Sequence, residues 1–176
     1  MINFKCILSH GAELPTRAHS DDVGLDLRIK GYQNISPFNE RLMGEPVWFD
    51  TCSSTNYITL DPNTRILAKT GLQIAIPECE RENYKYEIQV RPRSGMALKH
   101  GLTVLNTPGT IDPQYRGDIG VILLNTNFYP VKINNNDRIA QLIINEVLVN
   151  THFEVVESFD DLTSRGSSGF GDSGKN

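Results

Sequence analysis

A chain of 176 residues with a formal charge of −4 fits one domain able to bury a core of its own, and that charge argues against a nucleic-acid binder, whose affinity comes from Lys and Arg displacing counterions. Three cysteines (Cys6, Cys52, Cys79) without a CxxC pair suggest neither a disulfide framework nor a zinc site, and the four histidines stand too far apart for ligand spacing, so any metal would have to be held by oxygen. The start lacks the apolar stretch of a signal peptide and no run approaches the roughly 18 apolar residues that span a bilayer, so the expectation is a soluble, cytoplasmic or nuclear protein with neither membrane nor nucleic acid as partner.

In chain order, short runs rich in β-branched and aromatic residues occupy 4–8, 66–76, 84–90, 119–125, 131–133, 139–149 and 153–156, separated by turn signals. That cadence predicts an all-β barrel or sandwich. One short helix is predicted over 94–99, bounded by Gly95 and Gly101. Residues 31–58, with the sole Trp (Trp48), Pro37, Pro46 and a Cys-Ser-Ser-Thr cluster, keep no periodicity and read as a long excursion between strands. From Ser164 onward nearly every residue is Gly, Ser or charged, with Phe170 the single apolar side chain, a composition that does not order itself in isolation.

Four stretches could carry chemistry. In Arg91-Pro92-Arg93-Ser94-Gly95 a strand gives way to a helix start, where unpaired N–H groups, a guanidinium and a hydroxyl suit an anion; taken alone, these five residues read better as a solvated turn. The stretch Asn106-Thr107-Pro108-Gly109-Thr110-Ile111-Asp112-Pro113-Gln114-Tyr115-Arg116-Gly117 concentrates turn formers around a carboxylate and a phenol. As a hairpin it would offer backbone donors and acceptors to a flat polar ring, with Asp112 able to orient water; equally, Asp112 would cap a turn and Tyr115 would pack. Gln141, inside the apolar run Ile139-Ala140-Gln141-Leu142, needs a partner, either in the core or in a ligand. In the tail, the glycines about Arg165 and Phe170 permit wrapping round phosphates, or simply a loose terminus.

Together with Ala18-His19-Ser20-Asp21-Asp22-Val23-Gly24-Leu25-Asp26-Leu27, these stretches resemble, in order, the five motifs of the trimeric dUTPase family. The resemblance runs from about Leu14 to Gly174 and leaves out 31–58. It implies a jelly-roll-like β barrel (residues 1–163) with a Gly-rich arm (164–176), assembled as a homotrimer with shared active sites. The activity it implies is cleavage of dUTP to dUMP and pyrophosphate, which keeps uracil out of DNA and supplies dUMP for thymidylate. Asp112 would orient the attacking water, and Gln141 would act through water on the nucleophile. Arg93, Ser94 and Gly95 would hold phosphates, backbone groups of Asn106, Gly109, Thr110 and Ile111 would read the uracil edge, and Tyr115 would pack on the deoxyribose. Asp26 would face a Mg2+ ion through water, with the triphosphate supplying most of the metal's ligands. From the arm, Arg165 would meet the γ-phosphate, Phe170 would cover the uracil, and Gly169, Gly171 and Ser173 would line the phosphates.

The chain departs from the family pattern at Asp22-Val23, where Ser-Ala is usual, and in the arm at Ser168 and Asp172, each adding polarity or charge near the phosphates. Deamination of dCTP, a reaction of relatives with this fold, would need a glutamate that 106–117 lacks. A silent nucleotide sensor with 31–58 and an exposed Trp48 as a partner surface is the rival of another class, and a jelly-roll scaffold protein is a third.

Overall fold

The computed structural model describes residues 2–35, 42–49 and 56–159. In chain order its elements are β1 (Lys5–Leu8), β2 (Leu25–Arg28), β3 (Gly31–Ile35), β4 (Leu42–Trp48), β5 (Tyr57–Leu60), β6 (Arg65–Lys69), β7 (Leu72–Ala75), β8 (Tyr84–Pro92), α1 (Ser94–His100), β9 (Leu102–Val104), β10 (Gly109–Ile111), β11 (Gly120–Asn125), β12 (Val131–Asn134) and β13 (Arg138–Leu148). The strands form a four-stranded sheet in the order β10-β8-β13-β2, a five-stranded sheet β4-β3-β6-β11-β9, and two small sheets, β1-β7 and β12-β5.

Alternation along the strands builds the core. Leu27, Ile88 and Leu142 from the four-stranded sheet and Ala68, Val121 and Leu123 from the five-stranded sheet are all but inaccessible and belong to one apolar cluster. The fully buried Asn125 is satisfied at both ends of its amide: Nδ2 donates to the carbonyls of Leu60 (2.9 Å) and Tyr129 (3.0 Å), and Oδ1 accepts from the Asn127 N–H (2.9 Å). It thereby ties β11 to β5 and to the loop before β12. Among the described residues no helix is long and apolar enough to cross a membrane.

The all-β expectation and the short helix both hold, whereas five local expectations need correction. Residues 31–58 are no simple excursion, since β3 and β4 pair antiparallel and extend the five-stranded sheet to its edge. Their periodicity is hidden because the register shifts between Tyr32 and Asn34, because Gly44 takes φ 64°, and because β4, as an edge strand, leaves Leu42, Met43 and Val47 exposed without alternation. Trp48 is half-buried, its ring stacked on His10 with centroids 3.7 Å apart. The run 66–76 is two strands, split at Gly71, whose φ of 70° and approach to the Ser9 carbonyl, 2.5 Å from where a Cβ would lie, admit no side chain. Residues 106–117 do not form their own hairpin: β9 ends in the five-stranded sheet and β10 pairs with β8 in the other, so the stretch crosses between sheets. Finally, 153–156 is not a strand, and Phe153 and Val155 stand exposed.

Candidate active site

Register places three of the polar side chains in one row. Gln141 on β13 lies opposite Asp26 on β2 and opposite Arg91 on β8, so all three project from the same outward face, while their neighbours Leu27, Leu142 and Val90 point into the core. Asp26 is nearly buried and carries two guanidiniums. Arg93 Nε lies 2.8 Å from Oδ1, and Arg138 Nη1 donates to Oδ2 at 3.0 Å. The Arg93 contact is one of charge rather than an aligned hydrogen bond, and its Nη1 donates instead to the Arg138 carbonyl at 3.2 Å. Around the row opens a cleft of about 530 Å3 that also takes in Asp22, Val23, Gly24 and Ile143.

The Gln141 side chain has no hydrogen-bonded partner among the described residues, so its amide is not the core amide of the alternative reading and remains available to the cleft. Gly24 makes this possible: a Cβ there would stand 2.4 Å from Gln141 Oε1. At the end of the row the chain turns into α1, where Ser94 and Gly95 form the first residues of the helix and nothing lies within 4 Å of the space a Gly95 Cβ would fill.

Asp112 and Tyr115 occupy a different cleft, of about 550 Å3, together with Lys85, Tyr86, Glu87, Val147 and Val149. Val147 is six residues beyond Gln141 on β13, which at about 3.4 Å per residue sets the two clefts roughly 20 Å apart. Lys85, Glu87, Gln89 and Arg91 share the outward face with Gln141, and a polar ladder links the two ends: Arg91 donates to Gln89 Oε1 (2.6 Å), and Gln89 and Asn145 donate to Glu87 Oε1 (2.6 and 3.4 Å). Asp112 is exposed and starts a turn in which the Tyr115 N–H donates to its carbonyl at 3.0 Å; the Tyr115 hydroxyl donates to the Asp118 carbonyl, also at 3.0 Å. Tyr86, beneath this cleft, has its hydroxyl pushed up to about 12, first by its hydrogen bond with Cys79, then by burial and by nearby Cys79, Glu146 and Glu80. It stays protonated at neutral pH and serves as wall, not as base.

Of the remaining expected residues, Gly109, Thr110 and Ile111 form β10 beside β8, with Thr110 facing outward opposite Gln89, and a Cβ on Gly109 would meet Asn106 Nδ2 at 3.1 Å. Arg165, Gly169, Phe170, Gly171 and Ser173 lie outside the described residues. Sequence reasoning gave no site role to Gly24 and Arg91, which line the first cleft, or to Arg138, which holds Asp26 from the adjoining one. The β13 pairing with β2 that carries Arg138 includes a register shift between Arg138 and Ala140, which no local pattern announces.

For Mg2+, the donor chemistry fits and the geometry limits it. Asp26, Asp22 and Gln141 bring oxygen atoms to one cleft, as a hard cation needs, but both Asp26 oxygens are already engaged by arginines, and no group of three metal-ligating side chains occurs among the described residues. Such a site suits an ion brought in by phosphates rather than one held in a protein cage.

The structure defines an all-β protein whose larger sheets carry paired arginines, an amide and oxygen donors along one open face. A family model for dUTPase matches residues 41–174. The deoxyuridine 5'-triphosphate nucleotidohydrolase of Fusobacterium nucleatum is 40% identical over 174 residues, covering 99% of this chain and 98% of that protein. That of Chlamydia pneumoniae is 43% identical over 169 residues, 96% of each. Among solved structures, a dUTPase of Staphylococcus bacteriophage 80alpha with dUpNHpp superposes with a TM-score of 0.71 at 22% identity over 98% of each chain. A dUTPase from phage phi11 of S. aureus, described with a structural Mg(II) ion, gives 0.63 at 21% over 90% of this chain and 99% of that one. The chain belongs to the dUTPase family.

Proposed function

We propose that the protein hydrolyses dUTP to dUMP and pyrophosphate with Mg2+, in a homotrimer whose active sites are each assembled from more than one copy. The observation that carries this reading is the separation of Asp112 and Tyr115 from Gln141, Asp26 and Arg93 at opposite ends of one sheet face. A neighbouring copy packed against that face can set its Asp112 end over this copy's Gln141 end, and three such contacts close a ring.

In the assembled site Asp112 accepts a proton from a water as the water oxygen attacks the α-phosphorus; the bond from that phosphorus to the bridging oxygen breaks and pyrophosphate leaves. Gln141 orients the same water or an α-phosphate oxygen. Arg93, Ser94 and Gly95 hold the phosphate chain, with Arg93 drawn partly from Asp26 to do so, and Asp26 and Asp22 are the carboxylates that would face the metal, Asp26 through water. Mg2+, when bound there, would neutralise charge on the triphosphate, the main demand of phosphoryl transfer beyond positioning. Asn106, Gly109, Thr110 and Ile111 read the uracil edge, and Tyr115 closes the space a 2′-hydroxyl would need. From the arm, Arg165 meets the γ-phosphate, Phe170 covers the base, and Gly169, Gly171 and Ser173 follow the phosphates. Residues 1–163 form the barrel domain in this reading, and the protein works in solution in the cytoplasm or nucleus.

Pyrophosphate release with Mg2+ from dUTP, dTTP, UTP and dCTP, measured side by side, tests the reaction; strong preference for dUTP is the expected result, and equal rates on UTP would end the sugar assignment. Mixing tests the assembly. Copies carrying Asp112→Asn and copies carrying Gln141→Ala, each inactive alone, should recover about a quarter of the parent activity when unfolded and refolded together, as random assortment in a shared-site oligomer requires. No recovery would place both residues in one copy's site.

A further inference from the structure

The turn that presents Tyr115 is tied to the body of the barrel by a residue none of the motifs contains. Lys69, the last residue of β6, places its Nζ 2.8 Å from Asp118 Oδ2, with both side chains largely buried at 15% and 14% exposure. The contact is one of charge, since neither Asp118 oxygen has a hydrogen-bond donor among the described residues. The Asp118 main-chain carbonyl, on the same residue, accepts the Tyr115 hydroxyl at 3.0 Å. Gly117 leaves the room for that hydroxyl, because a Cβ there would sit 2.4 Å from it. The next residue, Ile119, is fixed on both sides: its N–H donates to the Leu72 carbonyl at 2.8 Å, and its carbonyl accepts from the Thr70 hydroxyl at 2.7 Å. Tyr115 itself is 44% exposed, so core packing does not hold its ring; the anchoring of residue 118 does.

We infer that Lys69 is a positioning residue for sugar recognition, acting through Asp118 to fix the Tyr115 ring against the deoxyribose. The inference rests on the proposed role of Tyr115. A buried carboxylate stripped of its cation is strongly unfavourable, so without Lys69 the turn shifts to carry Asp118 towards water. The Tyr115 hydroxyl then loses its acceptor and the wall that excludes a 2′-hydroxyl loosens. Base recognition, which lies with residues 106–111 on β10 and before it, is left in place.

The test is the ratio of kcat/KM for dUTP to that for UTP. Lys69→Met should lower the ratio about tenfold, mainly by raising KM for dUTP and admitting UTP, whereas Lys69→Arg should hold it within about twofold, since small displacements of a positioning group carry large rate penalties. The preference for dUTP over dCTP should stay unchanged in both, which a general loosening of the fold would not allow. Should Lys69→Met fail to fold, Asp118→Asn, which keeps side-chain volume but breaks the ion pair and leaves the buried Lys69 ammonium to move away from residue 118, carries the same expectation. An unchanged dUTP-to-UTP ratio in whichever of these folds overturns the inference. Tyr115→Ala separates the two levels: if it relaxes the ratio and the Lys69 and Asp118 variants do not, Tyr115 keeps its role and Lys69 has none, and if it does not, both fall.

Discussion

The two ends of the β8–β13 pair are built by different physics. At the Gln141 end, side chains from β2, β8, β13 and the start of α1 converge through sheet register, and the Asp26 carboxylate between Arg93 and Arg138 locks the convergence. At the Asp112 end the working groups come from one short turn, closed by the Tyr115 N–H on the Asp112 carbonyl and by Arg116 donating to the Pro113 carbonyl at 2.6 Å. In the proposed function the first end receives charge, and the second, which is exposed, acts on a nucleotide held by another copy. A substitution at the first end should therefore disturb binding and chemistry together, and one at the second should separate them.

The sharpest separation is expected at Asp112. Asp112→Asn removes the proton acceptor and leaves the turn's backbone bonds intact, so dUTP should still bind while turnover falls at least about a hundredfold. Titration calorimetry with a non-hydrolysable dUTP analogue, set beside steady-state rates, reads the two effects; near-parent turnover would remove Asp112 from the reaction. Next in size is the arm. A chain ending at Ser164 should fold and assemble as the parent does, judged by sedimentation, yet lose most of its turnover, because stacking on Phe170 alone is worth about 1 to 3 kcal/mol. Normal hydrolysis by the shortened chain would make the arm dispensable and the Phe170 assignment wrong. Smaller again is Gly24→Ala, which forces Gln141 Oε1 away from a methyl group 2.4 Å distant. At this end kcat and kcat/KM should fall together by about tenfold, the expected cost of a misplaced positioning group.

How much of this could be read from residues alone follows the same division. The Asp112–Tyr115 turn is local, and its turn formers and polar groups lie within a dozen positions, so the turn and the side chains it exposes were legible even though the pairing of β10 with β8 instead of a hairpin of its own was not. The short helix was legible for the same reason, with Gly101 in the left-handed conformation closing it. The Gln141 row was legible only through the family resemblance, because opposition of residues 26, 91 and 141 is decided by strand order and by the register shift after Arg138. Trp48 was misjudged because its partner, His10, comes from the turn after β1, 38 positions away in sequence. Lys69 was invisible: one lysine at a strand end says nothing until the fold brings Asp118 to it.

Arg138 asks the finest question of the comparison, since it borders the rigid end without belonging to any proposed phosphate contact. Its guanidinium is 42% exposed and holds Asp26 Oδ2, while Arg93, at 22%, holds Oδ1 and turns towards the cleft. Arg138→Met leaves Asp26 one cation, and an ion pair so open to solvent is worth about 0 to 1 kcal/mol, so activity should drop no more than about fivefold. Arg93→Met removes both a partner of Asp26 and a phosphate contact, and should cost far more in KM for dUTP than Arg138→Met does. Raising the salt concentration should narrow the Arg138→Met deficit, because a half-exposed pair is screened in the parent protein too. If the two variants instead lose KM equally, Arg138 touches the triphosphate, and the receptor for charge extends to the α1 side of Asp26, where Lys132 and His100 line the adjoining cleft.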